Sequence, residues 1–165
     1  MRSYLILLGA GLAACGGSTA VVVPPGGPAL LGDAWFEHRA AQLGLEVAAA
    51  RARDLALPVD APPEGLKDDA ALAQEGAVLW GAMCAVCHGL QGDPPEQPAP
   101  VPRSWGTFGT SMGFFFGRDG MRAGLYRRIE RGGEPRGDVP TRMPAWGSIL
   151  SREQIWLLVR HLESL

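Results

Sequence analysis

Histidine and cysteine are scarce in this chain of 165 residues, which has three of each. A closed structural zinc site is excluded by that count. Cys84 and Cys87 have no second Cys or His pair to complete four ligands, and only His38 and His161 remain besides His88. Lysine is nearly absent, because fourteen of the fifteen basic residues are arginines and only Lys67 is not. Positive charge is therefore carried by guanidinium groups, which suit planar, bidentate contacts with carboxylates. No basic run or interleaved aromatic platform is present, and the formal net charge is −2, so no nucleic-acid partner is expected. The chain also lacks alternating strand patterns and internal repeats. What remains is an all-α chain whose length allows one ordinary domain with appendages.

The charge that is present is uneven. Residues 1–100 carry five basic and eleven acidic side chains, and residues 101–165 carry ten and six, which makes the C-terminal part locally cationic and suited to an acidic partner. The N-terminus reads as an export signal, with Met1 and Arg2 at its positive end and an apolar stretch from Tyr4 to Ala14. That stretch is too short to span a bilayer. It closes on "LAAC", which resembles the bacterial lipobox, and the resemblance implies cleavage after residue 14 and a diacylglycerol on the sulfur of Cys15. The expected organisation is a signal peptide at 1–14, a flexible lipid tether at 15–32, an extra helix and Pro-rich linker at 33–68, and the main domain at 69–165.

Within this frame, residues 33–57 read as a helix weakened at Gly44 and stopped by Pro58. That helix either packs on the domain or docks a partner through Trp35 and Phe36. Residues 69–84 carry apolar side chains at helical spacing up to the cysteines. A further helix fits 119–131, where Met121, Leu125 and Ile129 recur at i, i+4 and i+8 before Gly132 and Gly133. Ser151 and Gln154 form a capping box for the last helix, with Leu150 and Ile155 as its hydrophobic staple. Between these helices, "WGTFGTSMGFFFGRDG" is rich in glycine and is read as turns or a short hairpin over an apolar face.

The chemistry is concentrated in "CAVCHG", residues 84–89. Cysteines three apart at a helix end project from one turn, and His88 follows at once. A disulfide between them would close a tiny loop and stabilise little. A thioredoxin-type dithiol normally starts a helix after a strand and needs no histidine behind it. C-x-x-C-H reads instead as covalent haem attachment, with thioethers from Cys84 and Cys87 and His88 on the iron.

Cys84-Ala-Val-Cys87-His88-Gly89, the upstream Gly76 and Trp80, a late Met143-Pro144 and a closing helix with Ile155-Trp156 and Leu158 together resemble a bacterial class I cytochrome c over about residues 69–165. The resemblance implies an all-α fold of three to four helices around one covalently attached haem c. Residues 33–57 would add an extra N-terminal helix. Its first and last helices would cross at Gly76, with Trp80, Leu158 and His161 filling the crossing.

For the sixth ligand, Met143 is the first choice. Pro144 keeps it extended, and it stands 55 residues after His88, which leaves chain enough to circle the ring. Met112 is its rival, and His38 or His161 would give a bis-histidine iron. Met83 lies beside the proximal ligand, and Met121 belongs to an apolar stripe. Arg103 and Trp105 are candidate donors to the haem propionates. Pro100 and Pro102 are candidate carbonyl partners for the His88 ring. Phe108, Phe114 to Phe116, Trp146 and Trp156 would keep the ring dry.

The function expected is a monohaem carrier that passes single electrons between donor and acceptor redox proteins, membrane complexes among them. It would be held on a bacterial membrane by lipidated Cys15 and would face the periplasm. The alternatives are a haem enzyme or sensor with a labile Met143, with Arg142 beside it, and a dithiol oxidoreductase.

Overall fold

The computed structural model describes residues 29–66, 70–95, 102, 104–105, 107–135, 137–138, 141 and 143–165. These residues form helices and no strand. The N-terminal segment folds as α1 (Gly32–Leu43) and α2 (Val47–Leu55), broken at Gly44 as the sequence predicts. Gly44 adopts φ 64° and ψ 35°, its N–H bonds the Ala41 carbonyl at 3.3 Å, and Leu45 N–H reaches back to Ala40 at 2.9 Å. These are the two bonds of a Schellman stop. A second chain of helix runs through α3 (Ala70–Leu79), a wider-wound turn at Trp80–Cys84 and the short α4 (Ala85–His88). The closing helices are α5 (Phe108–Arg131) and α6 (Arg152–Ser164).

The glycine-rich stretch before residue 119 is a correction to the sequence reading. It is helical from Phe108 onward and bent at Gly117, where φ −139° and ψ 43° leave the helical region. Each glycine disfavours helix by about 1 kcal/mol, and tertiary packing overrides that preference here. Thr110 and Phe114 are buried in the first half of α5. Past the bend, Met121 folds back over Gly113, whose missing Cβ would meet the Met121 methyl group at 2.2 Å. The expected stripe on the second half is buried at Leu125 and Ile129, with Met121 packed at the core's edge.

α6 is the core. Ile155, Trp156, Leu157 and Leu158 are at most 1% exposed, so the helix is surrounded by the others and is not laid on them. Its N-terminus is secured as read from the sequence: Gln154 N–H donates to Ser151 Oγ at 3.1 Å, and Gln154 Oε1 accepts from Ser151 N–H at 3.0 Å. The next two orphan donors of the first turn go to α2, where Asp54 accepts from Arg152 N–H at 3.0 Å and from Glu153 N–H at 2.8 Å. The negative charge also suits the positive end of the helix dipole.

Residues 29–58 are bonded to α6 at several further points. Arg39 grips the Glu153 carboxylate through Nε at 2.9 Å and a terminal nitrogen at 2.6 Å, both side chains being buried. Trp156 Nε1 donates to the Pro58 carbonyl at 2.8 Å, and Gln154 Nε2 to that of Leu30 at 2.7 Å. Trp35 is buried in the core, and Phe36 is half-buried beneath the Arg51 guanidinium, 4.3 Å from its ring centre. Both aromatics are thus engaged within the chain, which favours the packing reading of this segment over the docking one.

α3 crosses α6 at Gly76, as the sequence implied. A Cβ there would lie 2.5 Å from the Leu157 carbonyl oxygen, so only glycine lets the backbones approach this closely. Trp80 and His161 fill the crossing, their ring centres 5.7 Å apart. His161 Nε2 is buried without a partner among the described residues, and burial holds its pKa below the ordinary 6.5.

Gly76→Ala should destabilise the folded protein by about 1–3 kcal/mol, the usual effect of overpacking. That outweighs the helix propensity gained, about 1 kcal/mol at most. Denaturant titration with an unchanged slope checks it. For His161, the unfolded chain takes up its proton at a higher pH than the folded one does. Stability should therefore fall as pH drops below about 6.5, and His161→Phe should flatten that acid limb in a pH series of melts.

Candidate functional site

The site begins where the helix of α3 widens and loosens its winding. A π-wound turn at Trp80–Cys84 inserts extra chain into the helix before α4, a distortion that recurs at functional positions. It delivers Cys84, Cys87 and His88 from one short piece of helix. The two cysteines are half-buried and not joined to each other. Burial, and then the neighbouring Cys87 sulfur, push the Cys84 thiol up to about 12. A protonated thiol is a poor nucleophile, which counts against a thiol–disulfide shuttle, whose attacking cysteine needs a lowered pKa.

His88 ends α4 half-buried. Burial lowers its pKa, and a neutral imidazole is the form that binds metal. Its Nδ1 is buried without a partner among the described residues. The chain then reverses at Gly89, at φ 74°, where a Cβ would stand 2.0 Å from the Asp93 carbonyl oxygen. Gly92 and Trp105 close the reversal, with Trp105 N–H bonded to the Gly92 carbonyl at 3.0 Å.

Trp80 fixes this corner from below. Its indole N–H is shared between the carbonyls of Gly89 at 3.0 Å and Leu90 at 3.2 Å, and its ring centre lies 5.5 Å from that of His88. The sequence reading placed Trp80 at the helix crossing and missed this second task. The available signal was chemical: a buried indole N–H needs an acceptor, and the nearest free carbonyls follow the histidine.

The remaining predicted residues come from separate elements. Met143 is half-buried at the edge of the core in extended chain. Its carbonyl accepts from Gly133 N–H at 3.0 Å, and its N–H faces Thr141 Oγ1 at 3.3 Å. The following residues are pinned to the end of α5 by Trp146 N–H to Ile129 and Gly147 N–H to Glu130, each at 3.0 Å. Trp105 is half-buried, and its Nε1 is a second buried donor without a partner among the described residues. Pro102 is half-buried, whereas Cys15, Pro100, Arg103 and Arg142 lie outside the described residues. Met112 is half-buried in the first half of α5, and Met83 packs at the core's edge. His38 is engaged by Gln42 at 2.9 Å and faces Glu75 at 3.4 Å.

The aromatic shield is only partly as expected. Phe114 and Trp156 are buried and Trp146 is partly so, but Phe115 and Phe116 are 77% and 76% exposed and stack edge to face. The cause is helix formation: one turn cannot turn three successive rings to the same side.

These features fit a covalently held haem. Two unjoined thiols stand one turn apart, and the imidazole beside them has a nitrogen without a partner among the described residues, as has the Trp105 indole next to the Gly89 reversal. Among the described residues no group of three His, Cys, Asp or Glu side chains gathers to hold a bare metal ion.

The sequence model of a family described as cytochrome c oxidase, cbb3-type, subunit III matches residues 71–162. No curated protein and no solved structure matches the chain.

Trp80→Phe keeps an aromatic ring at the crossing but removes the donor from two carbonyls. It should lower stability by about 0.5–1.5 kcal/mol, the net worth of a hydrogen bond that is partly buried. Thermal and denaturant unfolding of the purified variant read this directly.

Proposed function

The chain belongs to the cytochrome c family of cbb3-type oxidase subunit III, and from this premise we propose that it is a His/Met-ligated monohaem carrier passing single electrons between redox proteins at a membrane. Membership brings covalently bound haem c and an electron-transfer role. The observation that carries the finer reading is the corner at residues 84–89, where unjoined thiols and a neutral, partly unsatisfied imidazole leave one turn of helix together. Haem c bound here supplies an iron that gains and loses one electron at a time.

The chain's own residues set the conditions for that chemistry. Cys84 and Cys87 would hold the group through thioether bonds, and His88 would supply a ligand to its iron. Trp80 orients the corner that carries His88 by tying down the two carbonyls after it. Met143 would supply the second protein ligand to the iron, and its soft thioether would favour the ferrous state relative to a second histidine. Two protein ligands would leave no open position for a substrate, as suits a carrier. Trp105 would donate to a propionate through its indole N–H, which has no partner among the described residues, and Arg103 is the second candidate donor.

The partners in this reading are a donor and an acceptor among membrane redox complexes. A lipid on Cys15 would hold the domain at the membrane, facing the periplasm, and the residues before Ala29 would serve as the tether.

The pyridine haemochrome spectrum of the purified protein should be c-type with one haem per chain, and Cys84→Ser with Cys87→Ser should abolish covalent attachment. Met143→Ala should lose the methionine-to-iron charge-transfer band entirely and bind carbon monoxide readily, which the unaltered ferrous protein should resist. An unchanged oxidised spectrum in Met143→Ala overturns the ligand assignment. Carbon monoxide binding by the unaltered protein overturns the carrier reading. Palmitate labelling that persists in Cys15→Ser overturns the lipid anchor.

A further inference from the structure

The side of α5 turned away from the core carries bare aromatic rings. Phe115 and Phe116 are 77% and 76% exposed, and their rings stand edge to face with centres 5.0 Å apart. They immediately precede the bend at Gly117. A side chain lining a cleft is screened by the wall opposite, whereas these rings are open to water on most sides. Trp105, Met112 and Met143, the residues read as facing the haem, are all half-buried by comparison.

The charge on the same side is of one sign. From Phe115 to the end of α5 the exposed charged residues are Arg118, Asp119, Arg127, Arg128 and Arg131, four positive and one negative. Arg127 and Arg131 fall about three and four turns beyond Phe116, on its side of the helix. Arg118 and Arg128 each have a carboxylate at 3.3 Å and Arg131 one at 3.4 Å, but such exposed pairs contribute little and exchange readily for other anions. Arg127 pairs with no carboxylate among the described residues.

From these rings and the guanidinium groups behind them we infer that this side of α5 is a docking surface for an anionic lipid bilayer. The rings enter the boundary between headgroups and acyl chains, and the arginines take lipid phosphates, which guanidinium binds in bidentate fashion. An acidic protein could answer the arginines alone. Rings set at 88° to one another present no single flat face to a protein pocket, whereas a bilayer closes around any protruding ring. The inference rests on the lipid proposed for Cys15, which supplies the encounter. The fourteen residues from Cys15 to Ala29 span at most about 50 Å, which keeps the domain beside the membrane but leaves it free to turn. Contact through α5 fixes which side faces the bilayer.

The test is amide hydrogen exchange of the full-length, haem-loaded protein on two kinds of vesicle, phosphatidylcholine alone and phosphatidylcholine with phosphatidylglycerol in equal parts. Flotation with both kinds reports the anchor, and exchange over residues 111–120 reports the docking. That exchange should slow on the anionic vesicles only, with α6 unchanged as the internal control. Phe115→Ser with Phe116→Ser should abolish the slowing and leave the haem spectrum as it is. Arg127→Gln should lower the ratio of docked to free domain about fivefold, the effect of one basic residue at an anionic surface. Protein that floats with both vesicles and exchanges equally on each overturns this inference and leaves the anchor standing, whereas protein that floats with neither overturns both. Slowing that survives in the phenylalanine variant, or an unchanged ratio in Arg127→Gln, also overturns it. Slowing produced by poly-glutamate on neutral vesicles assigns the surface to an acidic protein and overturns it as well.

Discussion

The contact between Gly76 and the Leu157 carbonyl is the constraint on which the rest of the molecule depends. At 2.5 Å from a would-be Cβ, it brings the backbones of α3 and α6 closer than any side chain allows. That approach sets where Trp80 lies, one turn further along at the start of the wider-wound turn, its ring centre 5.7 Å from that of His161 on α6 and 5.5 Å from that of His88. The indole then holds the carbonyls of Gly89 and Leu90, and the corner that presents the cysteines and histidine is fixed. Position therefore passes from a missing methyl group to the His88 imidazole through a single aromatic ring.

A second set of contacts makes α6 the hub of the N-terminal segment. Helix starts carry unpaired N–H groups, and α6 satisfies its own through Ser151 on one side and Asp54 of α2 on the other. The Arg39 to Glu153 pair lies beside them, buried, where its worth lies in fixing one arrangement more than in raw stability. The family match starts at residue 71, yet the described structure before it shares the same core through Trp35. Residues 29–58 act as a collar on the first turn of α6.

Much of this was legible in the sequence where a local rule and the global fold agree. The capping box at Ser151 and the break at Gly44 follow from residue type and spacing, and the close crossing at Gly76 from the family resemblance. The grouping of Cys84, Cys87 and His88 on one short piece of helix is legible for the same reason. The helix over residues 108–118 was not legible, because its glycines argue locally for turns, and only the packing of Phe114 and Met121 reverses that preference. The exposure of Phe115 and Phe116 follows from the same missed helix. The collar was also out of reach: Arg39 and Glu153 are 114 residues apart, and no periodicity links them. Likewise, nothing in composition tells that Trp80 spends its N–H on the chain after His88.

The collar has a mechanical meaning. Tension applied through the residues that precede Ala29 enters the described structure at Leu30, whose carbonyl is tied to Gln154, and at Arg39, which is tied to Glu153. Both bonds end on the first turn of α6, the most deeply buried helix in the molecule. The load path thus runs from the N-terminal side into the first turn of α6. A pull from that end is borne first by these polar contacts and not by the turn that bears Cys84, Cys87 and His88.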